Sequence, residues 1–278
     1  MKPTVSGGAT VVRHVAASLV GVLLLLPSSL LAQGWDVEEG EAKGPPRLVG
    51  VESPGPVPER GRWTLSLDGR FFGGVEDRVF GSGELVYGCS GTMELGVRGS
   101  YSDRGALVGP SFTIHHGGTD VEGFLRYRPA EYPGTSLQVG VAFPDTPAQR
   151  GAFVTVGGTA ERALGSHVRL VLHPRIVFVE RPIVGIGAGV VVKLSDRVEL
   201  VGDGTAVING WNTYSVATGR TRAQPLWSGG VRVSLGGEGQ GMWLTAGVTN
   251  ALGATTGFGL SPGLGGSASA YVGLTVRR

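Results

Sequence analysis

After residue 62, apolar and polar residues alternate over one short segment after another, and this pattern constrains the fold more than any other feature of the sequence. In residues 93–101, for example, Met, Leu, Val, Gly and Tyr occupy every second position, with Glu, Gly, Arg and Ser between them. A period of two predicts a β-strand with one apolar and one polar face, because successive side chains of a strand point in opposite directions. The 50 glycines among 278 residues also disfavour long helices, since each glycine inside a helix costs about 1 kcal/mol relative to alanine. We therefore predict an all-β protein.

The first 61 residues lack the alternation, and we predict that they lie outside the folded domain. Residues 1–32 have the order of a cleaved signal peptide: positive charge at Lys2 and Arg13, then a long apolar stretch, then small residues at the predicted cleavage site. Residues 33–61 are rich in proline and glycine and contain an acidic run, so they are predicted to form a disordered linker, because proline interrupts both helices and sheets. Residues 62–278 then form one β-domain.

Composition limits the partners and sites that this domain can have. The signal peptide carries two of the 24 basic residues and none of the 22 acidic ones, so the mature chain is formally neutral and gives no reason to expect nucleic acid as a partner. A single cysteine excludes a disulfide scaffold and a cysteine zinc site. After residue 32, no apolar stretch approaches the roughly 20 residues of a membrane helix. Contact with a membrane would therefore be made by strands or at the membrane surface.

The alternating segments and the turns between them predict twelve antiparallel strands. These cover residues 62–72, 83–88, 92–101, 119–128, 136–143, 152–162, 168–179, 182–193, 197–207, 226–235, 241–250 and 266–276. Longer loops are predicted at 102–118, 208–225 and 251–265. An even number of strands returns both chain ends to one side and places three similar tight turns, after Tyr87, Ala163 and Lys193, at the same end. A count of 14 strands is the alternative.

Two architectures contain such strands, a closed transmembrane barrel and a soluble β-sandwich. Strands of about 9–11 residues suit a tilted membrane strand, whose apolar face contacts lipid while its polar face lines the lumen. Aromatic residues lie near strand ends on the apolar face, as in the interfacial girdles of such barrels: Trp63, Tyr87, Tyr101, Tyr127 and Phe143. Charged residues lie on the opposite face, which a barrel directs into its lumen: Glu84, Glu94, Arg98, Glu122, Arg126, Arg128, Arg169, Arg175, Glu199 and Arg232. These features favour the barrel, with the sandwich as the alternative.

The chain resembles the bacterial outer-membrane β-barrel proteins. The resemblance covers the signal peptide and residues 62–278, and it rests on the repeated turn pattern, on Gly247-Val-Thr-Asn250 before a long glycine-rich loop, and on the final strand Tyr271-Val-Gly-Leu-Thr-Val276. It implies a porin-like protein of the cell envelope, with outer-membrane lipid and the barrel-assembly machinery as partners. The C-terminus departs from the family, because such proteins usually end in an aromatic residue and the nearest one here is Tyr271.

The charged inner face permits two interpretations. Arginine forks bind carboxylate or phosphate groups through paired hydrogen bonds, so one interpretation is a pore or binding cavity for anionic solutes. The other is a set of mutual salt bridges that fill and brace a narrow lumen, and the interspersed acids and bases favour it. We predict at least two arginine–carboxylate pairs inside the barrel.

Four motifs have residues that occur in chemical sites, and none predicts catalysis, a metal or a cofactor. His115-His116 lies in a predicted loop without further ligands at metal spacing, and His173, a candidate base on the inner face, has no serine elbow nearby. Gly185-Ile-Gly-Ala-Gly189 lacks the third glycine and the helix of a dinucleotide site, so we predict small residues facing a crowded lumen. The lone Cys89 is predicted to be an apolar residue without a chemical role, on the outward face beside a turn.

The sequence therefore predicts a non-enzymatic outer-membrane barrel that serves in passive transport of small solutes or in a structural role. No catalytic residue, metal ion or cofactor is predicted. Two alternatives stand beside this prediction: an outer-membrane barrel enzyme that acts on lipid or peptide, and a secreted soluble β-sandwich that binds ligands.

Overall fold

The computed structural model describes residues 60–72, 78–102, 118–132, 134–146, 149–179, 181–215, 220–235, 241–251, 253, 255–256, 260 and 268–277. The chain divides into two units, Met1–Ala42 and Lys43–Arg278, and every described residue belongs to the second. The predicted signal peptide, almost all of the predicted linker and the pair His115-His116 lie outside the described residues.

The alternating segments form fifteen strands in the described part of the chain, twelve of them long. In chain order they are β1 (Trp63–Phe72), β2 (Arg78–Gly88), β3 (Met93–Ser102), β4 (Gly118–Tyr127), β5 (Thr135–Thr146), β6 (Gln149–Arg150), β7 (Phe153–Leu164), β8 (Val168–Phe178), β9 (Ile183–Lys193), β10 (Val198–Asn209), β11 (Thr213–Ser215), β12 (Arg220–Arg222), β13 (Leu226–Ser234), β14 (Gly241–Thr249) and β15 (Ser269–Arg277). The short strands are β6, β11 and β12.

The twelve long strands form one closed antiparallel barrel. Each pairs with the long strand that follows it in the chain, and β1 pairs with β15, from Thr64 opposite Arg277 to Phe71 opposite Ala270. The short strand β6 pairs with β5, and β11 pairs with β12. Closure leaves none of the twelve long strands at a sheet edge, as a strand protein in a bilayer requires, because lipid offers the backbone no hydrogen bonds. The predicted twelve-stranded barrel is confirmed, and the β-sandwich alternative is wrong.

Most predicted strand boundaries lie within three residues of the structure, and two predictions differ by more. Strand β2 begins at Arg78 rather than at residue 83, because its pairing with β1 continues to Phe72 opposite Arg78 although Gly81 interrupts the apolar pattern. The predicted loop 208–225 contains the hairpin of β11 and β12. Strands of three residues are too short to show an alternation.

The tight turns that share a sequence pattern also share a location. All three lie at the barrel end where β1 begins and β15 ends, as predicted. In the turn after β2, the Ser90 hydroxyl accepts hydrogen bonds from the backbone N–H groups of Thr92 and Met93, at 3.2 and 3.1 Å. In the turn after β9, Ser195 accepts one from the N–H of Val198 at 3.2 Å. A serine that closes each of these two turns explains part of the repeated pattern.

The outer wall is apolar along the barrel and aromatic near both ends. Every long strand directs at least one large, well-exposed apolar or aromatic side chain outward. The five predicted girdle residues are all exposed: Trp63, Tyr87, Tyr101, Tyr127 and Phe143. The rings of Trp63 and Tyr87 lie 5.2 Å apart at the end with the tight turns, and Tyr101 and Phe143 lie towards the opposite end. This apolar belt between aromatic residues is the architecture of an outer-membrane β-barrel.

No helix in the described residues is long and apolar enough to cross a membrane.

Candidate functional site

The ten charged residues predicted to face the lumen all lie on the inner wall. Eight of them are buried: Glu84, Glu94, Arg98, Glu122, Arg126, Arg128, Arg175 and Arg232. The side chains of Arg169 and Glu199 are 25% and 21% exposed. Burial this complete requires partners, because an unpaired charge away from water costs several kcal/mol.

The central ion pair joins strands β3 and β4. Arg98 and Glu122 lie opposite each other in the register, and the guanidinium donates from Nε to Oε2 at 2.9 Å and from Nη2 to Oε1 at 3.0 Å. Glu84 lies opposite Arg98 on β2, with one oxygen 3.6 Å from Nη1. The Thr155 hydroxyl adds a hydrogen bond to Glu122 Oε1 at 2.5 Å. The wall by itself therefore satisfies both oxygens of Glu122, in the bidentate geometry that makes such pairs strong.

A second cluster lies nearer the end with the tight turns. Glu94 Oε2 accepts hydrogen bonds from Arg126 Nη1 at 3.0 Å and from Arg128 Nη2 at 3.1 Å. The ring of Phe124 connects this cluster to the central pair, because the guanidinium carbons of Arg98 and Arg126 each lie 4.9 Å from its centroid. Two cations against one ring form a buried cation–π arrangement.

A third group links β7, β8, β10 and β13. Arg169 is 3.0 Å from Glu161 and 3.3 Å from Glu199, and Arg232 Nε donates to Glu199 at 2.7 Å. Together the three groups contain more than the two arginine–carboxylate pairs predicted for the interior. They favour the interpretation of a braced lumen over that of a wide polar pore.

The predicted set lacks at least five charged residues that the structure places on the inner wall: Asp68, Arg70, Asp120, Glu161 and Asp203. Asp68 accepts hydrogen bonds from Arg70 Nε at 3.0 Å and from the Ser82 hydroxyl at 2.7 Å, and Asp203 accepts one from the Ser228 hydroxyl. Each lies on the inward parity of its strand, so extending the alternation count to every strand position would have found them.

The centre of the lumen is filled by chain from the loop between β14 and β15. We use the term inserted segment for residues 251, 253, 255, 256 and 260. All five are buried. The prediction that loop 251–265 lies outside the barrel is therefore wrong for these residues. Their glycine, alanine and threonine composition is typical of an exposed loop and has no alternation, so sequence alone does not distinguish an outer loop from one that folds inward.

The inserted segment is hydrogen-bonded to the charged wall. The backbone N–H of Thr256 donates to Glu122 Oε2 at 2.7 Å, and its hydroxyl donates to Glu122 Oε1 at 2.9 Å. Arg98 Nη2 donates to the same hydroxyl oxygen at 2.6 Å. The neighbouring Thr255 hydroxyl donates to Asp120 Oδ2 at 2.6 Å. These four hydrogen bonds of Thr255 and Thr256 with charged side chains thus close the middle of the barrel.

The motif that ends at Asn250 directs the chain into the lumen. The Trp227 N–H donates to Asn250 Oδ1 at 2.7 Å, and the Thr249 hydroxyl donates to the Trp227 carbonyl at 3.0 Å. One residue further, the Ala251 carbonyl accepts a hydrogen bond from Arg70 Nη1 at 2.5 Å. The Gly247-Val-Thr-Asn250 motif therefore anchors the start of the inserted segment to the wall.

The first and last residues of the segment, Ala251 and Leu260, both lie in one apolar cluster. The cluster consists of Phe80, Val177, Ile183, Leu226, Ala251 and Leu260. Asn212, which is fully buried, donates from Nδ2 to the carbonyls of Leu260 at 3.0 Å and Gln224 at 2.8 Å. The loop between β10 and β13 thereby holds the end of the inserted segment in place.

The remaining candidates from the sequence also have clear positions. A Cβ on Gly187 would overlap the ring of His173, and one on Gly185 would overlap Leu260, so these glycines face a crowded lumen as predicted. His173 itself is fully buried in this wall. Cys89 is exposed in the first tight turn. Within the described ranges, no three His, Cys, Asp or Glu side chains are grouped so that they could hold a metal ion.

Comparisons with known proteins found matches among solved structures alone. No family model and no curated protein matches the sequence. Among solved structures, the COG4313 outer membrane channel from Pseudomonas putida F1 is 10% identical, with a TM-score of 0.49 over 80% of this chain and 97% of that one. LpxR from Salmonella typhimurium is 9% identical, with a TM-score of 0.44 over 78% and 99% of the two chains. OmpT of Vibrio cholerae is 10% identical, with a TM-score of 0.38 over 78% and 97%. At these identities and TM-scores the comparisons assign no activity.

Proposed function

We propose that the protein is a passive channel of the bacterial outer membrane, which the inserted segment closes in the conformation described above. The observation that carries the proposal is that a loop, rather than the side chains of the wall, completes the closure of the lumen, through Thr255 and Thr256. The loop lies between β14 and β15, and the register of these strands, from Gly241 opposite Arg277 to Thr249 opposite Ser269, contains no residue of the inserted segment. The segment can therefore leave the lumen while the pairs between β14 and β15 stay in place.

The central buried ion pair of the wall keeps its partners when the segment withdraws. Glu122 keeps its bidentate pair with Arg98 and its hydrogen bond from Thr155 when Thr256 leaves. Water that enters the lumen supplies the remaining partners. Opening would cost several kcal/mol if it left a buried charge without a partner. Glu122 does not incur this cost, because its partners on the wall remain.

Inward glycines leave room where the segment lies. Gly185 has only a hydrogen in place of a side chain, and Leu260 fills the space beside it. Gly140 similarly leaves space beside the carboxylate of Glu122. Withdrawal of the segment therefore opens a path along a wall without large side chains at these two positions.

The alternatives differ from the channel in what they require. In a structural role, the buried pairs around Arg98 and Arg126 brace the barrel and the segment never withdraws. An enzyme requires that substrate reach a catalytic group, and the candidate base His173 is fully buried in the closed barrel. Neither alternative requires ion conductance, so electrical recording separates them from the channel.

Asn212 offers the sharpest test of the channel. The variant Asn212→Ala removes the hydrogen bond to the Leu260 carbonyl, together with two hydrogen bonds to the backbone of Gln224 in its own loop, and changes no residue of the charged wall. The matched control Asn209→Ala removes an exposed hydrogen bond to the Pro182 carbonyl, outside the inserted segment. In planar lipid bilayers we expect brief openings from the wild type, about tenfold higher open probability from Asn212→Ala, and wild-type behaviour from Asn209→Ala.

Correct folding of each variant is checked by heat-modifiable migration on a gel. If wild-type and Asn212→Ala proteins are both folded and neither conducts, the channel proposal is overturned and the structural role takes its place. Equal open probabilities in Asn212→Ala and Asn209→Ala would overturn the role of the inserted segment as the gate.

A further inference from the structure

We propose that the wall surface covered by Thr255 and Thr256 is a binding site for the ammonium group of a small cationic solute. The surface consists of the carboxylates of Asp120 and Glu122 with the wall around them, and we call it the acceptor site. The inference rests on the proposed channel, because solute reaches the site only when the inserted segment withdraws.

The charge of the acceptor site is negative. Asp120, Glu122 and Glu84 bring three carboxylates, and Arg98 is the guanidinium paired with two of them. All four side chains are at most 3% exposed. When Thr255 and Thr256 leave, an incoming cation makes the net charge of these four side chains less negative, whereas an incoming anion adds a further negative charge. Because like charges in a poorly solvated lumen repel strongly, the site discriminates by charge.

The hydrogen-bonding groups of the site match an ammonium in number and kind. Glu122 Oε2 accepts the Thr256 N–H at 2.7 Å, and Asp120 Oδ2 accepts the Thr255 hydroxyl at 2.6 Å. Among the described residues, the buried Asp120 Oδ1 accepts no hydrogen bond. These are three acceptor oxygens, and an ammonium carries three donors and no acceptor. The inserted segment thus occupies the site with neutral donors and leaves one carboxylate oxygen unsatisfied.

The geometry allows one small group to reach both carboxylates. Asp120 and Glu122 are two residues apart on β4, so their side chains point to the same face of the strand. The consecutive residues Thr255 and Thr256 contact one carboxylate each. A Cβ on Gly140 would come within 2.9 Å of Glu122 Oε1, so glycine at this position leaves the carboxylate accessible.

The test uses the full-length chain with Asn212→Ala, which opens more often under the proposed function. Methylammonium is the probe, and acetate of the same concentration is the anionic control. In a KCl gradient we expect a reversal potential that favours K⁺ over Cl⁻. We also expect methylammonium, but not acetate, to reduce the single-channel current.

The added substitution Asp120→Asn should raise the methylammonium concentration needed for half block about tenfold or more, because it removes a charged hydrogen-bond acceptor. Asp203→Asn is the matched control, since Asp203 is another aspartate of the inner wall and is hydrogen-bonded to Ser228 away from the acceptor site. We expect it to leave the block unchanged.

The outcomes separate the two proposals. Channels that are anion-selective, or that acetate blocks as well as methylammonium, would overturn the acceptor site and leave the channel standing. Equal effects of Asp120→Asn and Asp203→Asn would do the same. If Asp120→Asn does not fold, the comparison of methylammonium with acetate on the Asn212→Ala protein still decides the inference. Absence of any conductance overturns the channel, and the acceptor site with it.

Discussion

Replacement of Thr256 by valine tests the link between the wall and the inserted segment at a single atom. Valine has the shape of threonine but carries a methyl group in place of the hydroxyl. In the closed barrel that hydroxyl donates to Glu122 Oε1 at 2.9 Å and accepts from Arg98 Nη2 at 2.6 Å. In the open barrel, water can bond to all three groups. The substitution therefore destabilises the closed state selectively.

The size of the effect is limited by what remains. Arg98 and Glu122 stay paired through Nε–Oε2 at 2.9 Å and Nη2–Oε1 at 3.0 Å, so neither becomes an isolated charge. The N–H of Thr256 also keeps its hydrogen bond to Glu122. The loss is then about 1.5–3 kcal/mol, the range for one hydrogen bond to a charged group rather than for two. Since about 1.4 kcal/mol corresponds to a factor of ten, the ratio of open to closed channels should rise about ten- to hundredfold.

Single-channel recording in planar bilayers measures this ratio directly as open probability. The control Thr159→Val makes the same chemical change at another buried threonine, whose hydroxyl is hydrogen-bonded to Ser136 at 2.7 Å within the wall. We expect the control to open as rarely as the wild type. Equal open probabilities in the two folded variants would refute the idea that Thr256 holds the channel closed.

Three further predictions concern stability and orientation. Gly187→Ala should lower the free energy of unfolding by about 1–3 kcal/mol, because the added methyl group overpacks against the buried ring of His173. The control Gly123→Ala places its methyl group in open space and should leave that free energy unchanged or raise it by about 0.4–1 kcal/mol. Urea unfolding in detergent micelles measures both. Glu94→Gln removes the carboxylate between two buried guanidinium groups and should cost about 3–5 kcal/mol in the same assay, and a loss below about 1 kcal/mol would show that the cluster is solvated. Because bacterial outer-membrane barrels have their short turns on the periplasmic side, Cys89 in the first tight turn should react with a membrane-impermeant maleimide only after the outer membrane is permeabilised. The variant Arg181→Cys, at the opposite end of the barrel, should react on intact cells, and the reverse pattern would invert the orientation.

Much of the barrel follows from local sequence. Alternation assigns each residue to the inner or outer face, and tight turns set which residues of neighbouring strands meet. Arg98 and Glu122 illustrate this, because both lie on the polar parity of adjacent strands and the register places them opposite each other. The outward aromatic residues and the inward glycines of β9 follow from the same rule. Where glycine interrupts the alternation, as in the first residues of β2, the sequence signal fails although the pairing continues.

The sequence by itself determined which face of each strand meets lipid and which meets the lumen, because side-chain direction in a strand has a strict period of two. Only the tertiary structure decided what fills the lumen. Thr256 reaches Glu122 across 134 positions of the chain, and neither residue carries a local signal of that contact. Threonine, glycine and alanine are common in loops outside and inside a barrel alike. The contact depends on where closure of the sheet places the last long loop relative to the charged wall, and closure is a property of all twelve strands together.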